Sequence, residues 1–229
     1  MTSPLPAAVL WDMDGTLVDT EAYWMAAETA LVDSFGGEWS HEQALSLVGM
    51  GLEGSAAILQ QAGVRMSVGA IVDHLTDAVT DQLAERGNPY RPGAVELLRD
   101  LRAAGIKTAL VTMSLRRMAE TVVAQLPFDA FDVVIAGDDA TRPKPFPDAY
   151  LQAARMLGVD PADAVAIEDS PNGMRAAVAS GAVTLGVPLM VSLVGTGADG
   201  LWPTLGGRTA ADLRDFHTEH AARRQRASA

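Results

Sequence analysis

Residues 8–20 read AVLWDMDGTLVDT, and the type of fold can be inferred from this stretch. The apolar run before Asp12 has the composition of a buried strand, and Asp14 and Gly15 follow where the chain must turn. In open α/β sheets, ligands bind at the carboxyl ends of the strands. Two carboxylates this close repel each other unless a cation or a proton lies between them. The stretch therefore predicts a metal site, an acid/base pair, or both at the edge of a sheet.

Further along the chain, apolar runs predict strands, and helical patterns lie between the later runs. The predicted strands are residues 7–11, 106–112, 133–136, 164–167 and 182–186. The predicted helices between them are residues 94–104, 117–125, 147–157 and 173–180. Strands that alternate with helices are typical of a parallel sheet with helices on both faces. The sequence therefore predicts an α/β fold with a doubly wound, Rossmann-like parallel sheet.

Residues 19–88 break this alternation because they contain helical patterns and no clear strand. The predicted helices of this segment are residues 21–35, 41–48, 55–61 and 67–86. We therefore expect an inserted all-helical cap domain, residues 19–88, beside an α/β core domain made of residues 1–18 and 89–229. The predicted linkers lie near residues 18–20 and in the turn-rich segment 87–92. The polar tail, residues 221–229, is expected to fray.

The composition limits the classes of partner and cofactor. The chain has 229 residues, a net charge of −12 and no cysteine. Nucleic acid and anionic membranes attract clustered positive charge, so neither is expected as a partner. The lack of cysteine excludes disulfides and thiolate chemistry. Because no apolar run approaches the ~18 residues of a membrane span and no basic segment indicates a signal peptide, we expect a cytoplasmic protein, either a monomer or a weak homodimer.

Polar side chains follow four of the predicted strands. Besides the paired aspartates, these are Thr112, Lys144 in TRPKPFPD, and Glu168 with Asp169. The carboxyl ends of parallel strands open into one crevice, so these groups should converge. Three carboxylates and a bound phosphate need more positive charge than Lys144 supplies, and oxygen ligands suit Mg²⁺. One aspartate can attack phosphorus while another passes a proton to the leaving oxygen.

Four segments together resemble the motifs of the haloacid dehalogenase superfamily. They are DMDGTLVDT, the strand end at Thr112, Lys144 in RPKPFPD, and IEDSPNG, and they occur in the family's order across nearly the whole chain. The inserted helices resemble the cap of the branch that includes phosphoglycolate phosphatase and β-phosphoglucomutase. The resemblance implies a phosphoryl-transfer enzyme that acts on a small phosphorylated metabolite and uses Mg²⁺.

The resemblance also implies a role for each matching residue. Asp12 is expected to be the nucleophile that forms an aspartyl-phosphate, and Asp14 the general acid and then the base. The implied metal ligands are Asp12, the backbone carbonyl of Asp14, Asp169 and, directly or through a neighbour, Glu168. The implied phosphate-binding groups are Thr112, Met113, Ser114 and Lys144, and the lysine also stabilises the transition state.

Several activities of this superfamily can be compared with the residues. Dehalogenases lack the second aspartate, which is present here as Asp14, and phosphonatases need a cap lysine, whereas residues 20–88 contain none. A phosphoglucomutase must hold a second phosphate, yet residues 20–88 carry ten acids and two arginines, with Leu52 where the mutase pattern has an arginine. We therefore expect a phosphatase for a sugar or polyol phosphate. A mutase and a non-catalytic protein that binds a phosphorylated metabolite remain alternatives.

Three further features lie outside the motifs already described. The segment 49–54 matches G-x-G-x-x-G, but a dinucleotide fingerprint follows a strand, and this segment follows a predicted helix. We interpret it as a cap loop over the active site. The histidines show no metal spacing and are assigned no role. Trp24 is expected either to line the substrate cavity or to pack in the cap.

Overall fold

The structure is a computed structural model that describes residues 5–227, with side chains described to residue 223. Its strands are β1 (Ala8–Trp11), β2 (Lys107–Val111), β3 (Val133–Ile135), β4 (Ala164–Glu168), β5 (Val183–Gly186) and β6 (Gly200–Leu201). They form one sheet in the order β3-β2-β1-β4-β5-β6, and every neighbouring pair is parallel. The predicted parallel α/β sheet is therefore confirmed. The short strand β6 was not predicted.

The central position of β1 determines where the aspartates lie. All four residues of β1 are buried, as expected for a strand covered on both faces. Trp11, its last residue, pairs with Leu110 of β2 on one side and with Ile167 of β4 on the other. The segments that follow these three strands therefore begin side by side at the carboxyl edge of the sheet.

The helices are α1 (Glu21–Ser34), α2 (His41–Leu47), α3 (Leu52–Gln61), α4 (Val68–Arg86), α5 (Ala94–Ala103), α6 (Arg116–Ala124), α7 (Asp148–Leu157), α8 (Pro171–Ser180) and α9 (Ala210–Ala227). Two begin two or more residues earlier than predicted, and α6 begins one residue earlier. Helix α3 begins at Leu52 and not at residue 55, after Gly51 in an extended conformation. Helix α8 begins at Pro171 and not at residue 173, because proline suits a first turn and the hydroxyl of Ser170 accepts the N–H of Gly173.

Helices α1–α4 form the insertion between β1 and α5. The chain enters and leaves it through two adjacent segments, which pair with each other. The N–H of Asp19 donates to the carbonyl of Pro89 over 2.7 Å, and Val18 forms an antiparallel bridge with Tyr90. One cluster of buried apolar residues runs from the sheet into these helices, and α4 of the insertion packs against α6.

The C-terminal segment differs from the prediction. Residues 210–227 form α9, whereas residues 221–229 were expected to fray; residues 228 and 229 lie outside the described part. One face of α9 is buried, with Leu213, Phe216 and His220 at helical spacing. Phe216 meets Trp202 edge to face with ring centroids 5.6 Å apart. Among residues 5–227, no helix is both long and apolar enough to span a membrane.

Candidate active site

The carboxyl edge of the sheet holds a cluster of three buried acids. Asp12 follows β1, Glu168 ends β4 and Asp169 follows it. Each offers one carboxylate oxygen, and these oxygens all lie within 4.8 Å of one another. Burial and the neighbouring carboxylate of Glu168 raise the pKa of Asp12 to about 7, although Lys144 opposes the rise. The cluster therefore holds more negative charge than the nearby side chains neutralise.

Lys144 is buried beside this cluster and is held by three acceptors. Its ammonium donates to Asp12 Oδ1 and to Glu168 Oε1, each at a distance of 2.6 Å, and to the carbonyl of Val111 at 2.9 Å. Burial disfavours the charged amine, but the carboxylates of Asp12 and Glu168 outweigh this and raise the pKa of Lys144. The lysine is therefore a fixed cation at the predicted nucleophile.

Glu168 is enclosed by donors from this chain. Besides Lys144, the hydroxyl of Tyr150 donates to Oε1 over 2.6 Å and the hydroxyl of Ser170 to Oε2 over 3.3 Å. A Cβ at Gly173 would lie 2.0 Å from Oε1, so the carboxylate fits only because that residue is glycine. The role of Tyr150 was not predicted, because it extends from α7 on the face of the sheet and follows no strand.

Asp169, unlike Glu168, has few hydrogen-bond donors around its carboxylate. Its Oδ2 is buried without a hydrogen-bond partner among the described residues, and its Oδ1 receives a 3.3 Å hydrogen bond from the hydroxyl of Thr16. Burial, together with the negative charges of Asp12 and Glu168, raises the pKa of Asp169 well above its usual range. A buried oxygen without a partner, beside two more carboxylates, fits the oxygen ligands of a hard divalent cation.

Asp14 is directed away from the three-acid cluster. Its Oδ1 accepts hydrogen bonds from Thr20 Oγ1 (2.5 Å) and Trp24 Nε1 (3.1 Å). Its Oδ2 accepts from Ser114 Oγ (2.7 Å) and Thr112 Oγ1 (3.3 Å). Two donors thus come from the end of β2 and two from the start of the insertion. The side chain of Asp14 is no part of the cluster, and only its backbone carbonyl was predicted to bind metal.

The segment after β2, which is predicted to bind phosphate, makes hydrogen bonds to Asp14 and within itself. Thr112 Oγ1 accepts the N–H of Ser114 over 3.0 Å while it donates to Asp14, so the Ser114 N–H is already paired. The N–H groups of Met13, Asp14 and Met113 have no acceptor within the described residues. Three unpaired backbone donors at adjacent strand ends are suited to bind the oxygens of an anion.

Arg91 is a second buried cation near the site and was missed, because the sequence places it in a turn-rich linker. Its guanidinium donates to the carbonyl of Gly15 and, over 3.4 Å, to the carbonyl of Pro188. It thereby joins the turn after β1 to the loop after β5. The negative charges of Asp169 and Asp19 lie close enough to act on Arg91. The position of Arg91 depends on the pairing of residues 18–19 with residues 89–90, which no local sequence motif indicates.

A cavity of about 80 Å³ lies between the sheet edge and helices α1–α4. The site residues that line it are Asp12, Asp14, Thr112, Met113, Ser114, Lys144 and Ser170, and the helices contribute Glu21, Trp24, Met25, Glu28, Ala44, Leu47, Leu52, Ser55 and Leu75. Residues 48–50, in the predicted cap loop, line it too. This loop follows α2 rather than a strand, which agrees with the interpretation that it binds no dinucleotide. Trp24 both lines the cavity and is buried, so the two expectations for it hold together.

Two buried acids of α1 face this cavity. Burial, with smaller contributions from Asp14 and Glu28, raises the pKa of Glu21 to about 8. Burial raises the pKa of Glu28 to about 7, and the nearby indole of Trp39 partly opposes the rise. Glu28 Oε2 and Trp39 Nε1 are nevertheless both without a hydrogen-bond partner among the described residues. Neither glutamate was singled out as a site residue from the sequence.

The buried carboxyl of Glu28 should make the stability of the protein depend on pH. Its folded-state pKa of about 7 lies above the ordinary value of 4.5, so the folded protein holds more protons than the unfolded chain between these values. This carboxyl therefore lowers stability as the pH rises through that window, and has little effect below it. We expect Glu28→Gln to increase the free energy of unfolding at pH 8 by on the order of 2–3 kcal/mol, and by much less at pH 5.

Urea unfolding at the two pH values measures this difference. Glu38→Gln is the matched control, because Glu38 is exposed and lies next to Trp39 in the sequence. Equal stabilisation by Glu28→Gln at pH 8 and pH 5 would show that the carboxyl is not buried in its charged form.

Comparisons with known proteins identify a family and several relatives that this chain resembles. A family model for haloacid dehalogenase-like hydrolases matches residues 6–181. CbbY of Cereibacter sphaeroides is 33% identical, over 76% of this chain and 80% of that protein. Hexitol phosphatase B of Escherichia coli strain K12 is 31% identical, over 79% of this chain and 83% of that protein. The bifunctional riboflavin kinase/FMN phosphatase of Arabidopsis thaliana is 29% identical over 80% of this chain, but the match spans only 49% of that longer protein.

Solved structures agree with these similarities. CbbY from Rhodobacter sphaeroides in complex with phosphate has a TM-score of 0.82 and 29% identity, with 91% of this chain and 99% of that chain covered. A mutant of the same protein in complex with xylulose-(1,5)bisphosphate also has a TM-score of 0.82, at 28% identity. A β-phosphoglucomutase from Clostridium difficile has a TM-score of 0.82 at 22% identity, and this likeness shows the fold alone.

Proposed function

This chain belongs to the haloacid dehalogenase-like hydrolases, and we propose that it hydrolyses a sugar or polyol phosphate with Mg²⁺ through a phosphorylated Asp12. It is an enzyme of the phosphatase type, in line with its family and its relatives. The observation that carries the proposal is the buried cluster of Asp12, Glu168 and Asp169 around Lys144. The substrate class rests on the cavity lining and on the hexitol phosphatase among the relatives.

We assign the metal ligands from the free oxygens of the cluster. Asp12, Asp169 and the backbone carbonyl of Asp14 would hold Mg²⁺, which when bound offsets the carboxylate charge and polarises a phosphoryl oxygen. The unpartnered Oδ2 of Asp169 supports this assignment. Glu168 already receives three hydrogen bonds, from Lys144, Tyr150 and Ser170. We therefore propose that Glu168 positions Lys144 and is not itself a direct ligand.

The phosphate would lie between the ends of β1 and β2. The unpaired N–H groups of Met13, Asp14 and Met113 would donate to its non-bridging oxygens, and the ammonium of Lys144 would neutralise part of its charge. Thr112 and Ser114, which were expected to hold phosphate, donate to Asp14 in this structure. Their proposed role is therefore to orient Asp14, which lies beside the same segment.

The reaction would proceed in two displacements. A carboxylate oxygen of Asp12 bonds to phosphorus while the bond to the leaving oxygen breaks, and Asp14 gives its proton to that oxygen. Water then attacks the aspartyl-phosphate, Asp14 takes up its proton, and the bond to Asp12 breaks to release inorganic phosphate. Two of the donors that hold Asp14, Thr20 and Trp24, belong to the insertion. A movement of these helices would free its carboxyl to reach the leaving oxygen.

Movement of the insertion is also required by the size of the cavity. Its volume of about 80 Å³ is well below the roughly 300 Å³ at which ligand pockets begin. An adjacent cavity of about 470 Å³ between α3, α4 and the loops after β2 and β3 shares Leu52 and Met113 with it. We propose that substrate enters from this side as the insertion moves, with residues 1–18 and 89–229 as the core domain and residues 19–88 as the cap domain. The pairing of residues 18–19 with residues 89–90, where the chain enters and leaves the insertion, supports these boundaries.

The charge of the cavity favours a phosphatase over a mutase. Lys144 is the one basic residue in its described lining, and it is already held by Asp12 and Glu168, whereas Glu21 and Glu28 line the insertion side. A second phosphate would therefore meet acidic side chains and, within the described lining, no free cation. The monomeric or weakly dimeric state and the cytoplasmic location stay predictions.

Phosphate release from a panel of sugar, polyol, nucleotide and glycolate phosphates tests this function. With Mg²⁺ we expect release from polyol or sugar monophosphates, and with EDTA a loss of at least about 100-fold, because the carboxylate cluster then repels the phosphate. Mg²⁺ added back in excess of EDTA is the control and should restore the rate. Full activity in EDTA would contradict the metal assignment, and interconversion of hexose 1- and 6-phosphates without net release would favour the mutase.

A further inference from the structure

A buried glutamate of α1 lines the cavity, and its carboxylate has no cationic partner among the described residues. Glu28 is 6% exposed, lines the cavity, and its Oε2 is without a hydrogen-bond partner among the described residues. The described residues place no cation on it, since its carboxylate forms no ion pair with the lysines and arginines of residues 5–223. An acceptor left unpaired in this way costs stability, which a protein tolerates most readily where a ligand supplies the donor.

The position of Glu28 on α1 shows which part of a substrate it can contact. Glu21 and Glu28 are seven residues apart, so they share one face of the helix at a separation of about 10 Å along its axis. Glu21 lies at the aspartate end, where the charges of Asp14 and Asp12 act on it. Glu28 therefore faces the part of the leaving group that is several carbons away from phosphorus.

We propose that Glu28 is a specificity-determining residue whose carboxylate accepts a hydrogen bond from a hydroxyl group at the far end of a polyhydroxylated leaving group. The inference rests on the proposed phosphatase function and adds to it the residue that selects long polyol chains over short esters. Glu28 is the residue that lines the cavity, and a hydroxyl group donates readily to a carboxylate oxygen.

The test compares two phosphate donors in the full-length protein with Mg²⁺. Sorbitol 6-phosphate has a leaving group long enough to reach Glu28, whereas acetyl phosphate ends near Asp14. We expect Glu28→Gln to lower the ratio of kcat/KM for sorbitol 6-phosphate to that for acetyl phosphate by about tenfold, mainly through KM, and Glu28→Leu to lower it further. Glu38→Gln, an exposed glutamate beside Trp39, is the control and should keep the wild-type ratio.

The possible outcomes separate this inference from the function on which it rests. An unchanged ratio in both Glu28 variants, with normal turnover of acetyl phosphate, would overturn the inference alone. An equal loss on both donors would also overturn it, because the residue would then act on the structure of the site and not on selection. No phosphate release from either donor by the wild-type protein would instead contradict the proposed function.

Discussion

Replacing Asp12 with asparagine is expected to abolish phosphate release, with a loss of roughly 10⁴-fold or more, because an amide oxygen is a poor nucleophile. The fold should survive the substitution. Asn keeps the shape of Asp, and Lys144 retains Glu168 as an ionic partner at 2.6 Å. The pKa of Asp12 is raised to about 7, chiefly by burial, so the charged carboxylate is costly to the folded state. The variant should therefore melt at or above the temperature of the wild type.

Asp19→Asn is the matched control for this prediction. Asp19 carries the same side chain seven residues further on, is exposed, and makes its hydrogen bond to Pro89 through the backbone N–H. It should retain activity. Substantial turnover by Asp12→Asn, measured with the substrate that the wild type hydrolyses best, would reassign the nucleophile.

Replacing Lys144 with methionine should cost both stability and activity. The substitution leaves Asp12 and Glu168 buried side by side without the ammonium that both contact at 2.6 Å. Removing one partner of a buried ionic group typically costs about 3–5 kcal/mol. The loss should be smaller at pH 5 than at pH 8, because the stranded carboxyls can take up protons. Urea unfolding in EDTA measures it without help from a bound cation.

The only other lysine provides the control. Lys107 is exposed and donates to the carbonyl of Leu157 at the surface end of β2, so Lys107→Met should change stability far less. If Lys144→Met were as stable as the wild type in EDTA at pH 8, the two carboxylates would not depend on this lysine, and its role at the nucleophile would have to be revised.

Much of the fold could be predicted because its elements follow simple periodic patterns. The buried β1, between β2 and β4, shows in the sequence as an apolar run that ends at two aspartates. The family resemblance implied that Lys144 pairs with Asp12, and its ammonium lies 2.6 Å from Asp12 Oδ1. The roles assigned to these residues are still proposals.

The missed elements lack such patterns. Strand β6 has only two residues, Gly200 and Leu201, which is too short for any alternation. Helix α9 is strongly polar, and only a narrow stripe that includes Leu213 and Phe216 is buried, so its tail was interpreted as frayed. In both cases the packing partner, and not local propensity, determines the structure.

Three site residues could not be found from the sequence, and the reason is the same for each. Tyr150, Arg91 and Glu28 reach the site from a helix on the sheet face, a linker and the insertion, respectively. Their contacts depend on how distant segments pack. The rule that active-site groups follow strand ends cannot find them. A glutamate at helical spacing from Glu21 on an otherwise apolar face was the one available signal for Glu28.

Trapping the phosphorylated enzyme identifies the residue that attacks phosphorus. During turnover with Mg²⁺, the reaction is quenched with sodium borohydride, which reduces an aspartyl-phosphate to homoserine, and the digested protein is analysed by mass spectrometry. We expect reduction at Asp12 that depends on substrate and is absent in Asp12→Asn. Reduction at another carboxyl, or phosphate release with no residue reduced, would contradict the role of Asp12 as the nucleophile.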